Sequence, residues 1–338
     1  MKKIFPIVLI SLLVAVAVFG AGCTSSTNNS TSGSSGSTLS LAGSTSVQPD
    51  AQALAAAYMA NNSGVTVNVA GGGTAAGITA AGTGTAQIGM ASANVTASEK
   101  AQYPNLQSYP ICVDGIAIVV NPKNTAVNGL TIAQVMNIYT GNITNWNQVG
   151  GSNAKIDVVN REQGSGTRSG IQSIVLKNGN FSTGGITESS TGAVASYVAG
   201  DANSIGYIAT NALTSSVKAL TINGIAPTYG NLANGTYVIE RYLLYVTNGS
   251  PTGLAQSFIN YTLSPAGQAV LKSQGEVSLN DVPGYVPPTY TATAATTTAA
   301  TTTAATTTAA TTTAATTTAA TTTAATTTAA TTTAATTT

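Results

Sequence analysis

Four short segments of this chain gather glycine, serine and threonine directly before a helix-like stretch: Gly43-Ser44-Thr45-Ser46, Gly71-Gly72-Gly73-Thr74, Gly164-Ser165-Gly166-Thr167 and Ser189-Ser190-Thr191-Gly192. Such segments are suited to anion binding. A helix start carries backbone N–H groups without partners in the helix and a partial positive charge, hydroxyls add donors, and glycine lets the backbone come close. One segment of this kind is usually an ordinary helix cap. Four in one chain, with Arg161 four residues before Ser165, point to a shared oxyanion that the guanidinium can clamp bidentately.

Composition removes most other chemistry. The 338 residues include no histidine and two cysteines, and only 6% are charged. Without histidine there is no Ser-His-Asp or Cys-His nucleophile and no His-ligated zinc or haem. Gly164-Ser165-Gly166 lacks the G-x-S-x-G pattern of a nucleophile elbow. No glycine-rich segment ends in Gly-Lys-Ser/Thr, and Gly71, Gly73 and Gly77 miss the dinucleotide-binding spacing by one residue. Lys and Arg total 11 against 10 acidic residues and form no cluster, so no nucleic-acid footprint is expected. The chain is expected to be a binding protein, not an enzyme, with no cofactor and no metal.

The elements that must hold these segments alternate. Strand-like runs at Val65–Val69, Ile116–Val120 and Ile156–Val159 precede helix-like runs at Ala75–Ala81, Ile132–Tyr139 and Arg168–Leu176. A late strand at Leu243–Thr247 leads to helices at Leu254–Asn260 and near Pro265. This is an α/β pattern, and the roughly 240 residues from Leu39 to Asp281 suit two lobes or one large domain.

The ends carry other signals. Residues 1–22 run from Lys2 and Lys3 through an apolar stretch to Gly20-Ala21-Gly22, as in a secretory signal peptide. Cys23 follows as in the lipobox of secreted lipoproteins, with Gly20 in place of the usual leucine, so a lipid-modified Cys23 anchored outside the cytoplasmic membrane is expected. The alternative is an uncleaved anchor, since Ile4 to Ala21 is uncharged and barely long enough to span. Cys112 is then expected to be a buried free thiol. Residues 23–38 read as a Ser/Thr/Asn tether. Residues 283–338 read as a proline linker and a tail whose pentad AATTT repeats nine times. A period of five keeps no face of a strand or a helix, so the tail reads as a disordered, Thr-rich stalk open to O-glycosylation.

Gly43-Ser44-Thr45-Ser46, Gly72-Gly73-Thr74, Ile88-Gly89-Met90-Ala91-Ser92, Asp114-Gly115-Ile116-Ala117, Gly141-Asn142-Ile143-Thr144-Asn145-Trp146, Arg161 through Arg168 and Ile205-Gly206-Tyr207 together, and in this order, resemble the phosphate-binding proteins of high-affinity phosphate ABC transporters, a group of type II solute-binding proteins. The resemblance covers Leu39 to about Leu279. It implies two α/β lobes, 39–119 plus 241–282 and 120–240, with a ligand cleft between them that takes a dehydrated tetraoxoanion. It further implies a monomer that hands inorganic phosphate to permease subunits in the membrane.

Carried over by position, the resemblance implies that Thr45, Ser46, Thr74, Arg161, Ser165, Gly166 and Thr167 bind phosphate, with Ser92 at a further anion-contact position. Arg161 supplies the only full positive charge of that set. Glu162 is either its orienting partner or a solvated loop charge. Phosphate near neutral pH keeps a proton and needs an acceptor, and the aspartate that several relatives use after the Ile-Gly strand is absent from Ala91-Ser92-Ala93-Asn94. Asp114 is the expected replacement, discriminating against sulfate; the alternative is a turn cap. Trp146 is expected to pack its loop, Tyr207 and Tyr242 to pack between lobes, and Arg168 to lie on a solvated face. Two functions compete: phosphate capture for transport, and a surface structural or adhesive role resting on the stalk. Another tetraoxoanion, sulfate or molybdate, remains open as the ligand.

Overall fold

The computed structural model describes residues 37–285. The signal segment, Cys23, the tether to residue 36 and the tail from residue 286 lie outside the described residues. Ser37 and Thr38, expected in the tether, instead open the first strand, where they lie opposite Val65 and Thr66. A parallel ladder is made by the backbone, so two small polar residues extend it without needing a core position.

In chain order the elements are β1 (Ser37–Gly43), α1 (Gln48–Asn61), β2 (Val65–Gly71), α2 (Thr74–Thr83), β3 (Ile88–Ala91), α3 (Ala97–Gln102), β4 (Leu106–Val120), β5 (Gly129–Leu130), α4 (Ile132–Tyr139) and β6 (Asp157–Arg161). They continue with α5 (Gly166–Gly170), β7 (Ile186–Glu188), α6 (Thr191–Gly200), β8 (Ser204–Ala209), β9 (Lys218–Ala219), β10 (Thr221–Ile222), α7 (Tyr229–Ala233), β11 (Glu240–Asn248), α8 (Gly253–Leu263), α9 (Pro265–Ser273) and β12 (Val277–Ser278). The fold is mixed α/β, as the alternation implies.

One sheet runs in the order β2-β1-β3-β11-β4-β8-β6-β7. Its outer parts are parallel, β1 with β2 and β3 on one side and β6 with β7 and β8 on the other. The centre is antiparallel. The 15-residue β4 pairs with β11 over Leu106 to Gly115 and with β8 over Ile116 to Val120, so it serves both halves. Opposite Leu243 and Leu244 the register skips Ile111, next to Pro110. Proline has no N–H to give the ladder, and a bulge absorbs the defect.

Strand alternation distributes the cores. Leu243 and Tyr245 enter one apolar cluster with Leu39, Leu41 and Phe258, whereas Leu244 and Val246 enter another with Ile78 and Leu106. On β4, Ile116, Ile118 and Val120 face a core with Tyr139, Trp146 and Tyr207, and Ala117 and Val119 face one with Val194 and Val198. Both faces of each half are therefore covered, which explains the nearly continuous apolar run of β4. Packing changes over between Cys112 and Val113, earlier than the expected border at 119 and 120, because β4 enters the second core before its ladder to β11 ends. Cys112 is buried and free.

Helix starts are fixed locally. Thr131 and Gln134 form a reciprocal capping box on α4, as do Thr96 and Glu99 on α3. The helix expected at Arg168–Leu176 begins earlier, at Gly166, and widens into a π-helical turn at Ile171–Val175. Among the described residues no helix is long and apolar enough to cross a membrane.

Candidate anion-binding site

The four glycine, serine and threonine segments become the starts of α1, α2, α5 and α6, two from each half of the sheet. Gly43 ends β1 at φ 138, a backbone form that disfavours side chains, and Ser44 then donates its N–H to Met90 O at 2.8 Å. Ser165 caps α5 through Arg168 N at 3.3 Å, and Ser190 caps α6 through Ala193 N at 3.0 Å. These bonds aim the free ends of the helices at one place.

Hydroxyls from both halves meet there. Ser46 Oγ lies 3.0 Å from Thr167 Oγ1 and 3.2 Å from Thr191 Oγ1, and Thr45 Oγ1 lies 3.3 Å from Thr191 Oγ1. Thr45 Oγ1 also accepts the Thr191 N–H at 3.2 Å. Beside them, Ser44 Oγ donates to Ser92 Oγ at 2.9 Å, and Ser92 N donates to Thr74 Oγ1 at 3.0 Å. Gly166 fits against this pair because it has no side chain: a Cβ there would stand 2.6 Å from Thr74 Oγ1 and 2.7 Å from the Ser92 carbonyl carbon. The Ala75 N–H donates to Gly164 O at 3.0 Å, a backbone link between the halves.

Arg161 ends β6 with its side chain 2% exposed. Nη1 donates to Thr191 Oγ1 at 3.3 Å and Nη2 to Thr45 Oγ1 at 3.4 Å. Glu162 grips the other edge of the guanidinium, with Nε and Nη2 each 2.8 Å from a carboxylate oxygen, so Glu162 is the orienting partner of Arg161 while remaining partly exposed. The backbone is held as well: Arg161 N donates to Tyr207 Oη at 2.9 Å, and Arg168 Nη1 donates to Arg161 O at 3.0 Å.

The structure thus brings Thr45, Ser46, Thr74, Ser92, Arg161, Gly166 and Thr167 together, with Ser165 alongside as the buried α5 cap. Asp114 does not join them. It is fully buried, and its Oδ1 accepts from Thr210 N and Oγ1, both at 3.0 Å, while Oδ2 accepts from Arg241 Nε at 3.1 Å and Nη2 at 2.9 Å. The antiparallel register places Arg241 opposite Asp114, so the carboxylate is consumed before it can face a ligand. Tyr207 lies in the core of the second half with Tyr139 rather than between lobes. Arg168 is half-buried rather than on a solvated face, its guanidinium lying 4.0 Å over the Phe181 ring. Trp146 packs its loop as expected, with Nε1 donating to Asn203 O at 2.9 Å.

Sequence reasoning missed the layer behind Ser46. Arg241 Nη2 donates to Ser46 Oγ at 3.2 Å, and Asn211 Nδ2 donates to Ser46 O and to Asp50 Oδ2, both at 3.0 Å. Asp50 and Glu276 are fully buried, and their carboxyls interact with each other. Burial, and then the Asp114 charge, push both well above the usual carboxylate range. Asp50 Oδ1 and both Glu276 oxygens have no hydrogen-bond partner beyond what a shared carboxyl proton supplies. Burial also raises Asp114, against the opposing pull of Arg241 and Thr210.

Chemically, the cluster offers donors: hydroxyls, helix N–H groups and a guanidinium whose charge is partly balanced. No set of metal-ligating side chains occurs among the described residues. Such fixed dipoles in a buried place stabilise an oxyanion without reorganising.

Comparison with known proteins agrees in extent. Residues 28–266 match the PBP superfamily domain. The chain is 32% identical to the phosphate-binding protein PstS of Bacillus subtilis, over 82% of this chain and 95% of that one. It is 28% identical to PstS of Borreliella burgdorferi, over 70% and 88% respectively. A substrate-binding protein assigned to phosphate ABC transport, from Clostridium perfringens with bound phosphate, superposes with TM-score 0.68 and 36% identity, covering 71% of this chain and 99% of that one. An ABC-type phosphate transport receptor from Vibrio cholerae superposes with TM-score 0.60 and 32% identity, covering 72% and 100%.

Proposed function

We propose that this chain, which belongs to the PBP superfamily and within it to the family of the phosphate-binding protein PstS, captures inorganic phosphate in the hydroxyl cluster and delivers it to an ABC transporter permease. The observation that carries this reading is the meeting of Thr45 and Ser46 with Thr167, Thr191 and Arg161 across the two halves, at 3.0 to 3.4 Å. An anion bound there is held by both halves at once, so binding couples to their approach. Thr45, Ser46, Thr74, Ser92, Arg161, Ser165, Gly166, Thr167 and Thr191 are the ligand-binding residues of this reading, and Asp114 acts behind them as the counter-ion of Arg241.

The two halves act as lobes, 37–112 plus 241–282 and 113–240, with the border inside β4. The chain works as a monomeric, non-enzymatic binding protein outside the cytoplasmic membrane, anchored through a lipid on Cys23. The surface-protein alternative gains nothing from the described residues, since a stalk-borne scaffold does not require donors from four helix starts to converge.

Calorimetric titration of anion-free protein with phosphate and then sulfate tests this function. A saturable phosphate isotherm that sulfate does not reproduce is the expected result, with a melting temperature that rises with phosphate concentration. Absence of heat and of thermal stabilisation with phosphate overturns it.

A further inference from the structure

Arg161 was expected to be the only cation of the site, yet Arg241 reaches the same cluster from the opposite side. Its Nη2 donates to Ser46 Oγ at 3.2 Å while Nε and Nη2 hold Asp114 Oδ2. We propose that Arg241 is a positioning residue of the anion site: it fixes the Ser46 hydroxyl as a donor toward the bound oxyanion, and Asp114 is the anchor that aims it. The proposal rests on the phosphate reading above.

The argument is one of donor and acceptor counts. A guanidinium only donates, so its bond to Ser46 Oγ occupies an acceptor site and turns the serine proton elsewhere. The remaining neighbours of Ser46 Oγ are Thr167 Oγ1 at 3.0 Å and Thr191 Oγ1 at 3.2 Å. Thr191 Oγ1 in turn accepts from Arg161 Nη1 at 3.3 Å. The hydroxyls that face each other are therefore set as donors from both sides, by Arg241 in one half and Arg161 in the other. Each hydroxyl keeps one free lone pair, so the two can bond to each other through only one of their protons, whereas a tetraoxoanion supplies acceptors to both protons at once.

Two further observations fit a positioning role better than plain charge balance for Asp114. Arg241 Nη1 is buried without a hydrogen bond, in a side chain only 7% exposed; a lysine would neutralise Asp114 and bury fewer orphaned donors. Asp114 is itself immobilised through Oδ1 by Thr210, so the guanidinium is aimed as well as paired. The pair has no net charge, and it polarises Ser46 without adding a second full charge beneath the anion.

A double-mutant cycle on the full chain tests this. Arg241→Gln alone would leave Asp114 as a buried, uncompensated charge, so it is combined with Asp114→Asn to remove both charges together. Phosphate affinity is measured by calorimetry for the wild type, Ser46→Ala, Asp114→Asn/Arg241→Gln and the combination of all three. Losing the oriented donor is expected to weaken binding about tenfold to a hundredfold with Ser46 present, and by less than about twofold in the Ser46→Ala background. Equal losses in both backgrounds would mean that Arg241 acts on the fold in general, and would overturn the proposal. Where the double replacement does not fold, Arg241→Lys gives the same contrast, since lysine keeps the charge but cannot span from Asp114 to Ser46. Full phosphate affinity in the charge-removed protein overturns this inference alone; a wild type that does not bind phosphate overturns the functional reading and this inference with it.

Discussion

Gly166→Ala is the most direct perturbation of the cleft. Gly166 is not among the glycines with positive φ, so alanine suits its backbone and the effect is one of contact alone. The new Cβ would lie 2.6 Å from Thr74 Oγ1, 2.7 Å from the Ser92 carbonyl carbon and closer still to Ser92 Oγ, where ordinary contact begins at 3.4 Å. Serine and threonine tips can turn away, but the Ser92 backbone cannot, so the halves must part by roughly 0.7 Å, the gap between 2.7 and 3.4 Å. A Ser46–Thr167 separation of 3.0 Å then exceeds hydrogen-bond reach. An anion held by one half loses two or more charge-assisted bonds from the other, at about 1.5–3 kcal/mol each, or about 3–6 kcal/mol. That is about a hundredfold to ten-thousandfold in phosphate affinity. Calorimetry measures the affinity, and urea unfolding of the anion-free protein checks that the fold persists. Gly192→Ala is the control: it sits at the start of α6 with nothing within 4 Å of its Cβ position, and should bind phosphate normally while gaining up to about 1 kcal/mol of stability. Phosphate affinity of Gly166→Ala within threefold of wild type would refute the close approach of the halves around the ligand.

Other perturbations separate binding from folding. Arg161→Gln should weaken phosphate binding by about a hundredfold or more with about 1 kcal/mol or less lost from stability, since the Glu162 side chain is 29% exposed and stays hydrated; normal calorimetric affinity would remove Arg161 from the site. Asp114→Asn strands Arg241 and should cost about 3–5 kcal/mol in urea unfolding; an unchanged midpoint would contradict the pairing. Asp50 and Glu276 have raised folded values, so the stability they contribute is complete below their unfolded values, near about pH 4, and is lost as pH rises through the folded ones. Melting temperature should therefore fall as pH rises above about 5, with each proton held on folding adding about 1.4 kcal/mol per pH unit to the slope; Glu276→Gln should flatten the curve, and parallel curves would show that the pair holds no extra proton.

What the sequence made legible follows from its local physics. The four loops could be read because a helix start advertises itself in three or four neighbouring residues, and Ile116–Val120 because its apolar run is continuous; the first part of β4, Leu106–Gly115, escaped because Gln107, Ser108, Pro110 and Asp114 interrupt its pattern. Arg241 could not be read in this way. It is a lone arginine in an ordinary strand, and both its partner Asp114 and its target Ser46 become neighbours only through the β11–β4 register and the return of β1 beside β3. Asp114 misled for the same reason: its apolar surroundings suggested a buried acid aimed at a ligand, and only the pairing of strands shows that an arginine reaches it first. Asp50 and Glu276 belong to the same class, one in the first turn of α1 and the other just before β12, with no signal in either stretch that the two meet.

The sharing of β4 also sets an order of assembly. The strands of the second half, from the end of β4 through β10, follow one another without interruption, so that half can close as soon as its own chain has left the ribosome or a translocation channel. The first half has to wait. β3 borders β1 on one side, and its other neighbour, β11, is not made until Glu240–Asn248. Until then β3 presents an open edge of unpaired peptide groups, the kind of surface on which chains aggregate. The closing step joins segments far apart in sequence, which makes it the slow one. An emerging chain therefore depends longest on chaperone protection over residues 37–112, although they are the first part of the fold to be made.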